Sequence, residues 1–158
     1  LPEMVTAADT VEKVNIEVIN PAVAKSNDST NMSLGKVLLA TVQGDLHDIG
    51  KNMVGLMLKV NGFEVIDMGT SVAPADIVAR AEQEKVDIIG MSALLTTCLP
   101  YMKDVGDFLV GKGIRNKYAV IIGGAATTPG IVEEMGANAH GSSAADGVDK
   151  CKMLLGKL

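Results

Sequence analysis

Lys36-Val37-Leu38-Leu39-Ala40-Thr41-Val42 runs directly into Gln43-Gly44-Asp45-Leu46-His47-Asp48-Ile49-Gly50-Lys51-Asn52, and this junction decides the fold. The first stretch is almost continuously apolar, which predicts a strand buried on both faces. From Gly50 onward the apolar residues recur at helical spacing. A histidine is therefore displayed on the loop that leaves a buried strand, with Asp45 two residues before it. That arrangement suits metal ligation. A neighbouring carboxylate can hold the remote ring N–H, fix the tautomer and raise the basicity of the ligating nitrogen.

Working outward, strands and helices alternate. Strands are predicted over 36–42, 63–68, 86–91, 118–122 and 137–140, and helices over 50–61, 74–84, 100–112, 129–135 and 143–156. Val86-Asp87-Ile88-Ile89-Gly90-Met91 and Tyr118-Ala119-Val120-Ile121-Ile122 have the near-continuous apolar character of strands covered on both sides. Such alternation predicts an α/β domain with a doubly wound parallel five-stranded sheet over residues 31–158. Right-handed crossovers then gather the strand-to-helix loops on one edge, where such folds bind ligands. Upstream, residues 1–24 read as helical, with Val5, Ala8, Val11, Val14, Ile16 and Val18 roughly on one face and Pro21 as the stop. A polar linker, 25–31, follows. The chain does not begin with Met, as expected of a piece of a longer protein.

Composition narrows the function classes. The 158 residues carry 14 basic and 19 acidic side chains, a net charge of −5, and no basic stripe. Nucleic-acid and anionic-membrane partners are therefore not expected. No apolar run reaches the ~20 residues of a membrane span, and the first residues do not read as a signal peptide. The two cysteines, Cys98 and Cys151, lack metal-site spacing and read as reduced thiols of a cytoplasmic protein. A chain of this length buries roughly 70 % of its unfolded surface, so it needs no disulfide staple. The nine methionines read as core filling.

Three loops are left to carry function: 43–50, then Ser92-Ala93-Leu94-Leu95-Thr96-Thr97-Cys98, then Gly123-Gly124-Ala125-Ala126-Thr127-Thr128. In a flavodoxin-like (Rossmann-like) strand order the first two flank one crevice. Ser92 and Thr96 can offer hydroxyls there, and Gly123-Gly124 leaves room for a flat or bulky group close to the backbone. Neither a GxGxxG fingerprint nor a Walker loop is present.

Asp45-x-His47-x-x-Gly50, Ser92-x-Leu94 and Gly123-Gly124, in that order and strand context, resemble the signature of cobalamin-binding domains over about residues 34–156. The segment from Gly44 to Asn52, with Leu94-Leu95-Thr96-Thr97 and Pro100-Tyr101-Met102-Lys103, is most similar to the corrinoid proteins of methyltransferase systems. The resemblance implies base-off binding of cobalamin (methylcobalamin or a related corrinoid), with the dimethylbenzimidazole tail in a slot beside the sheet and His47 as lower ligand to cobalt. It implies cofactor contacts from Gly44, Asp45, Leu46, His47, Asp48, Ile49, Gly50, Ser92, Leu94, Thr96, Gly123, Gly124 and Ala144. It also implies that residues 1–30 are the C-terminal remnant of a helical cap bundle and its linker. The chain would then be non-catalytic alone. It would shuttle a methyl group on cobalt from a methyl-donor methyltransferase to an acceptor methyltransferase, with a reductive activase as a third partner, and His47 and Asp45 would form a ligand-tuning dyad. The alternative is the small adenosylcobalamin-binding subunit of a carbon-skeleton mutase; the helical segment before the domain argues against it. A cobalamin-based sensor would need a DNA-binding module, which this acidic chain does not show.

Each residue also has a plainer reading. Asp45 could cap the following helix, although Asp48 is better placed for that. Gly50 could let the helix approach the sheet. Ser92 and Thr96 could be turn residues, Gly123-Gly124 a tight turn, and Ala144 an ordinary small residue opening the last helix. His140 reads as a packed histidine rather than a second ligand. Cys98 stands where methionine synthase is expected to have a serine that relays protons from the Asp–His pair. A thiol is a poorer hydrogen-bond partner, so the dyad is expected without a third member.

Overall fold

The structure, a computed structural model, describes residues 33–157. The chain divides into two compact units, Leu1–Ser33 and Leu34–Leu158. The helix expected over 1–24 and the cap remnant over 1–30 lie outside the described residues.

The second unit is a parallel sheet of β1 (Lys36–Thr41), β2 (Glu64–Asp67), β3 (Ile88–Ser92), β4 (Ala119–Gly123) and β5 (Ala139–Gly141). Its spatial order is β2-β1-β3-β4-β5, with every neighbouring pair parallel. This is the flavodoxin-like order, and its switch point falls between β1 and β3. Strand alternation builds two cores. Leu38, Ala40 and Val42 enter one of them, together with Ile89, Met91, Val120 and Ile122. Val37 and Leu39 enter the other, with Ile88 and Ile121.

Four helices cover the two faces: α1 (Ile49–Val60), α2 (Pro74–Glu84), α3 (Leu99–Gly111) and α4 (Ala144–Leu154). α1 packs with α4, and α2 with α3. α2 begins with Pro74 in its first turn and ends on Lys85 in the left-handed region. α4 begins at Ser143, whose hydroxyl accepts the Asp146 N–H at 3.1 Å. On α1, Lys51, Gly55 and Leu58 form the stripe that faces the sheet.

Several expectations need correction. The helix predicted over 129–135 is a 3₁₀ turn, Pro129–Ile131, followed by irregular turns. Left-handed Gly136 ends the segment before a second helical turn can form. β3 starts two residues later than expected, because the Val86 N–H still bonds back to the Ala81 carbonyl of α2. Gly50 is not the close approach of α1 to the sheet, since a Cβ there would meet nothing within 4 Å. Gly55 is that approach: a Cβ on it would lie 3.2 Å from Leu39 Cδ1.

Candidate functional site

The loop after β1 is fixed from three sides. Asp45 N–H closes a turn onto the Val42 carbonyl at 3.1 Å, and Thr41 Oγ1 donates to the His47 carbonyl at 3.1 Å. From the loop before α2, Ser71 Oγ accepts the Gly44 N–H and Ser71 N–H donates to the Asp45 carbonyl. The third side is Asp45 itself, whose side chain is 0 % exposed. Its Oδ1 accepts His47 N–H at 3.0 Å and His47 Nδ1 at 2.6 Å. Its Oδ2 accepts the N–H groups of Leu94 at 2.6 Å and Leu95 at 3.1 Å, from the loop after β3.

The electrostatics follow from those contacts. Burial pushes the Asp45 carboxyl up, but the hydrogen bonds from His47, Leu94 and Leu95 outweigh it and hold the group at about 2. An ionised carboxylate only accepts, so Nδ1 carries the ring proton. Nε2 keeps its lone pair and has no partner among the described residues. The imidazole is 55 % exposed, so this nitrogen is presented outward. Around it stand exposed apolar side chains: Leu46, at 73 %, with Ile49, Leu94 and Leu95. Leu95 was not among the expected site residues; its amide bond to Asp45 brings it in.

Beside this loop, between the sheet and the α1–α4 pair, lies a cavity of about 450 Å³. Five expected residues line it: Gly50, Ser92, Gly123, Gly124 and Ala144. The two glycines after β4 differ in kind. Gly124 has φ +104°, and a Cβ there would lie 2.3 Å from the Ala93 carbonyl oxygen, so the turn itself demands glycine. A Cβ on Gly123 would meet only the Gly141 oxygen at 3.5 Å, an ordinary contact, and one on Gly50 would meet nothing. At these two positions the protein's own packing leaves room for a side chain, and the missing side chains keep the cavity open.

The remaining expected residues fall outside the cavity lining. Gly44, Asp45, Leu46, His47, Asp48, Ile49 and Leu94 form the loop edge above. Thr96 is exposed on the 3₁₀ turn Thr96–Cys98 and is not among the residues that line the cavity. Asp48 holds the N-cap position of α1 but makes no side-chain cap bond. Sequence reasoning missed Lys51, Thr127, Ser142 and Ser143 in the lining. Lys51 directly follows Gly50, and that adjacency was the available signal. His140 also lines the cavity and is half-buried. Thr127 Oγ1 donates to the Gly124 carbonyl at 2.7 Å, so it accepts from His140 Nε2 at 3.0 Å. Cys98 is buried against Gly44. The second Asp45 oxygen is bonded to backbone amides, where a three-member relay would put a hydroxyl.

The donor set fits a metal that arrives inside its own macrocycle. Among the described residues no cluster of three or more His, Cys, Asp or Glu side chains could hold a bare ion. The loop offers one oriented imidazole, an apolar rim for a broad ring, and a slot alongside for an appendage. No helix among the described residues is long and apolar enough to cross a membrane.

The chain is similar to known proteins. The family model of the B12 binding domain matches residues 35–147. The chain is 40 % identical over 157 residues to a corrinoid protein of Desulfitobacterium hafniense (strain Y51), covering 99 % of this chain and 72 % of the relative. It superposes on the monomethylamine corrinoid protein of Methanosarcina barkeri with a TM-score of 0.81 at 29 % identity, covering 98 % of this chain and 71 % of the other. A chain of the methanol:cobalamin methyltransferase complex of the same organism matches with a TM-score of 0.75 at 30 % identity, covering 100 % of this chain and 58 % of the other.

Proposed function

The chain belongs to the B12-binding domain family and is a corrinoid protein of methyltransferase systems, and from that premise we propose that it is a methyl carrier that holds its corrinoid base-off with His47 as lower ligand. One observation carries the reading. His47 Nδ1 is held 2.6 Å from a fully buried carboxylate, while Nε2 is left unpartnered on an apolar rim beside an open slot.

When bound, the corrinoid supplies a cobalt that takes up a methyl group from one partner and yields it to another. The chain's own residues supply the rest. His47 would hold the metal through the Nε2 lone pair. Asp45 keeps the ring proton on Nδ1 and keeps the ring from rotating. Leu46, Ile49, Leu94 and Leu95 would lie against the corrin ring and exclude water from it. The cavity would receive the nucleotide tail, with Gly50 and Gly123 leaving room for the base and Ser92, Gly124 and Ala144 along its wall. Gly44 and Asp48 shape the loop, and Thr96 would contact the ring from its exposed turn. The partners are a substrate-specific methyltransferase, an acceptor methyltransferase and a reductive activase, in the cytoplasm.

The test is spectroscopic. The protein is loaded with methylcobalamin, freed of excess cofactor, and its visible spectrum is compared with that of His47→Ala. The expected wild-type spectrum is that of a ligated methyl-cobalt species, and the expected variant spectrum is unligated with cofactor retained. A variant that stays ligated would mean that the benzimidazole still holds the metal, and the base-off reading would be wrong.

A further inference from the structure

Lys51 is a buried cation beside this cavity. It stands in the first turn of α1, on the stripe that faces the sheet, with its side chain 2 % exposed. Lysines are almost never buried to this degree unless their ammonium is satisfied. Nζ donates to Asp67 Oδ1 at 2.5 Å and to Asn52 Oδ1 at 2.9 Å. An ammonium has three N–H groups, and the third has no acceptor among the described residues. Asp67 is the anion paired with it. Its side chain is 41 % exposed, and its Oδ1 also accepts the Gly69 N–H at 2.8 Å. A buried donor calls for an acceptor, and the open space that Lys51 lines is the cavity. The same corner holds the start of α1, where no side chain caps the first amides and Gly50 leaves the backbone bare. An uncapped helix start and a buried ammonium favour the same kind of occupant, an anion.

We propose that Lys51, with the first amides of α1, binds the phosphodiester of the corrinoid's nucleotide tail. The inference rests on the reading that the cavity takes that tail. A nucleotide-bearing corrinoid carries one anionic group between its ring and its base, the phosphodiester. Ribose hydroxyls and base nitrogens can accept a hydrogen bond but do not need a charged donor. Lys51 thus makes the slot selective for corrinoids that keep the complete nucleotide over truncated ones.

The experiment measures binding by the full chain, without turnover, using cobalamin, cobinamide (which lacks the nucleotide), α-ribazole and α-ribazole phosphate. Wild type is expected to favour α-ribazole phosphate over α-ribazole, and equal affinities overturn the proposal without any variant. Lys51→Met is expected to lose about tenfold or more in affinity for cobalamin and α-ribazole phosphate, the scale of one charge-assisted hydrogen bond. Its affinity for cobinamide and α-ribazole should stay as in wild type. Asp67→Asn keeps the ammonium and an acceptor, and is expected to retain the phosphate preference. If Asp67→Asn loses that preference as fully as Lys51→Met does, the pair only braces α1 and the proposal falls. Cobalamin binding that is untouched in Lys51→Met also overturns this inference while leaving the methyl-carrier reading in place. A wild type that binds neither cobalamin nor cobinamide overturns both.

Discussion

Replacing Asp45 by Asn isolates the charge that organises the site. The side chain keeps its shape, but its amide nitrogen must face either the His47 donors or the Leu94 and Leu95 amides, because each Asp45 oxygen accepts two N–H groups. The carboxyl is held at about 2 against an ordinary 3.8. At about 1.36 kcal/mol per pH unit, that gap is worth about 2 kcal/mol of folding stability. A depressed carboxyl contributes its stability above the unfolded value and loses it as pH falls through the folded one. The contribution is therefore complete above about pH 5, roughly half gone by pH 3, and lost below about pH 2. Urea unfolding of the cofactor-free protein at a series of pH values, with wild type and Asp45→Asn side by side, is the assay. Titrations shared by both proteins cancel in the difference. The stability gap is expected to be about 2 kcal/mol or more at pH 6 and to narrow as pH falls towards 3, since mispaired buried donors add their own penalty of about 1–3 kcal/mol at every pH. A gap that is independent of pH would show that Asp45 acts by shape alone and would refute the electrostatic reasoning.

Gly123→Leu should fill the slot while leaving the fold intact, so the apoprotein should unfold within about 1 kcal/mol of wild type while corrinoid affinity falls by about tenfold or more; unchanged affinity in a binding titration would show that nothing enters there. Gly124→Ala should do the reverse first, destabilising the apoprotein by about 1–3 kcal/mol, because its φ of +104° and the Ala93 oxygen leave no place for a Cβ. Ser143→Ala removes the hydroxyl that accepts the Asp146 N–H and should lower stability by about 1 kcal/mol in the same unfolding assay. The bonds from Ser142 and Lys150 hold the Asp146 carboxyl below its usual range, so their contribution should fade as pH drops through that range. Burial pushes the Cys151 thiol up to about 12, so at pH 8 it should react with a disulfide reagent only after denaturant is added. Rapid labelling of Cys151 in the native protein would contradict that burial.

The chain's local pattern determined what depends on near neighbours. Lys36–Thr41 could be read as a buried strand, and 50–61 as a helix, because period and apolarity are properties of consecutive residues. The three loops could be read as one site because parallel topology sends every strand-to-helix loop to the same edge. Ser92, Gly123 and Gly50 were legible as motif members. Tertiary structure decided the rest. Asp45 could pass for a helix cap, and only the meeting of β1 with β3 brings it the amides of Leu94 and Leu95, 49 and 50 residues away. Gly50 and Gly55 look alike in sequence, but α1 rests on Leu39 through Gly55 and opens the slot at Gly50. Thr96 and Ser92 carry equivalent hydroxyls, yet the 3₁₀ turn carries Thr96 outward. Lys51 reads as a surface lysine until α1 is laid on the sheet and its ammonium meets Asp67 at the end of β2. Spacing along the chain fixes which groups are available; which of them are buried, paired or open is set by contacts between segments far apart in sequence, and those exist only once the sheet has assembled.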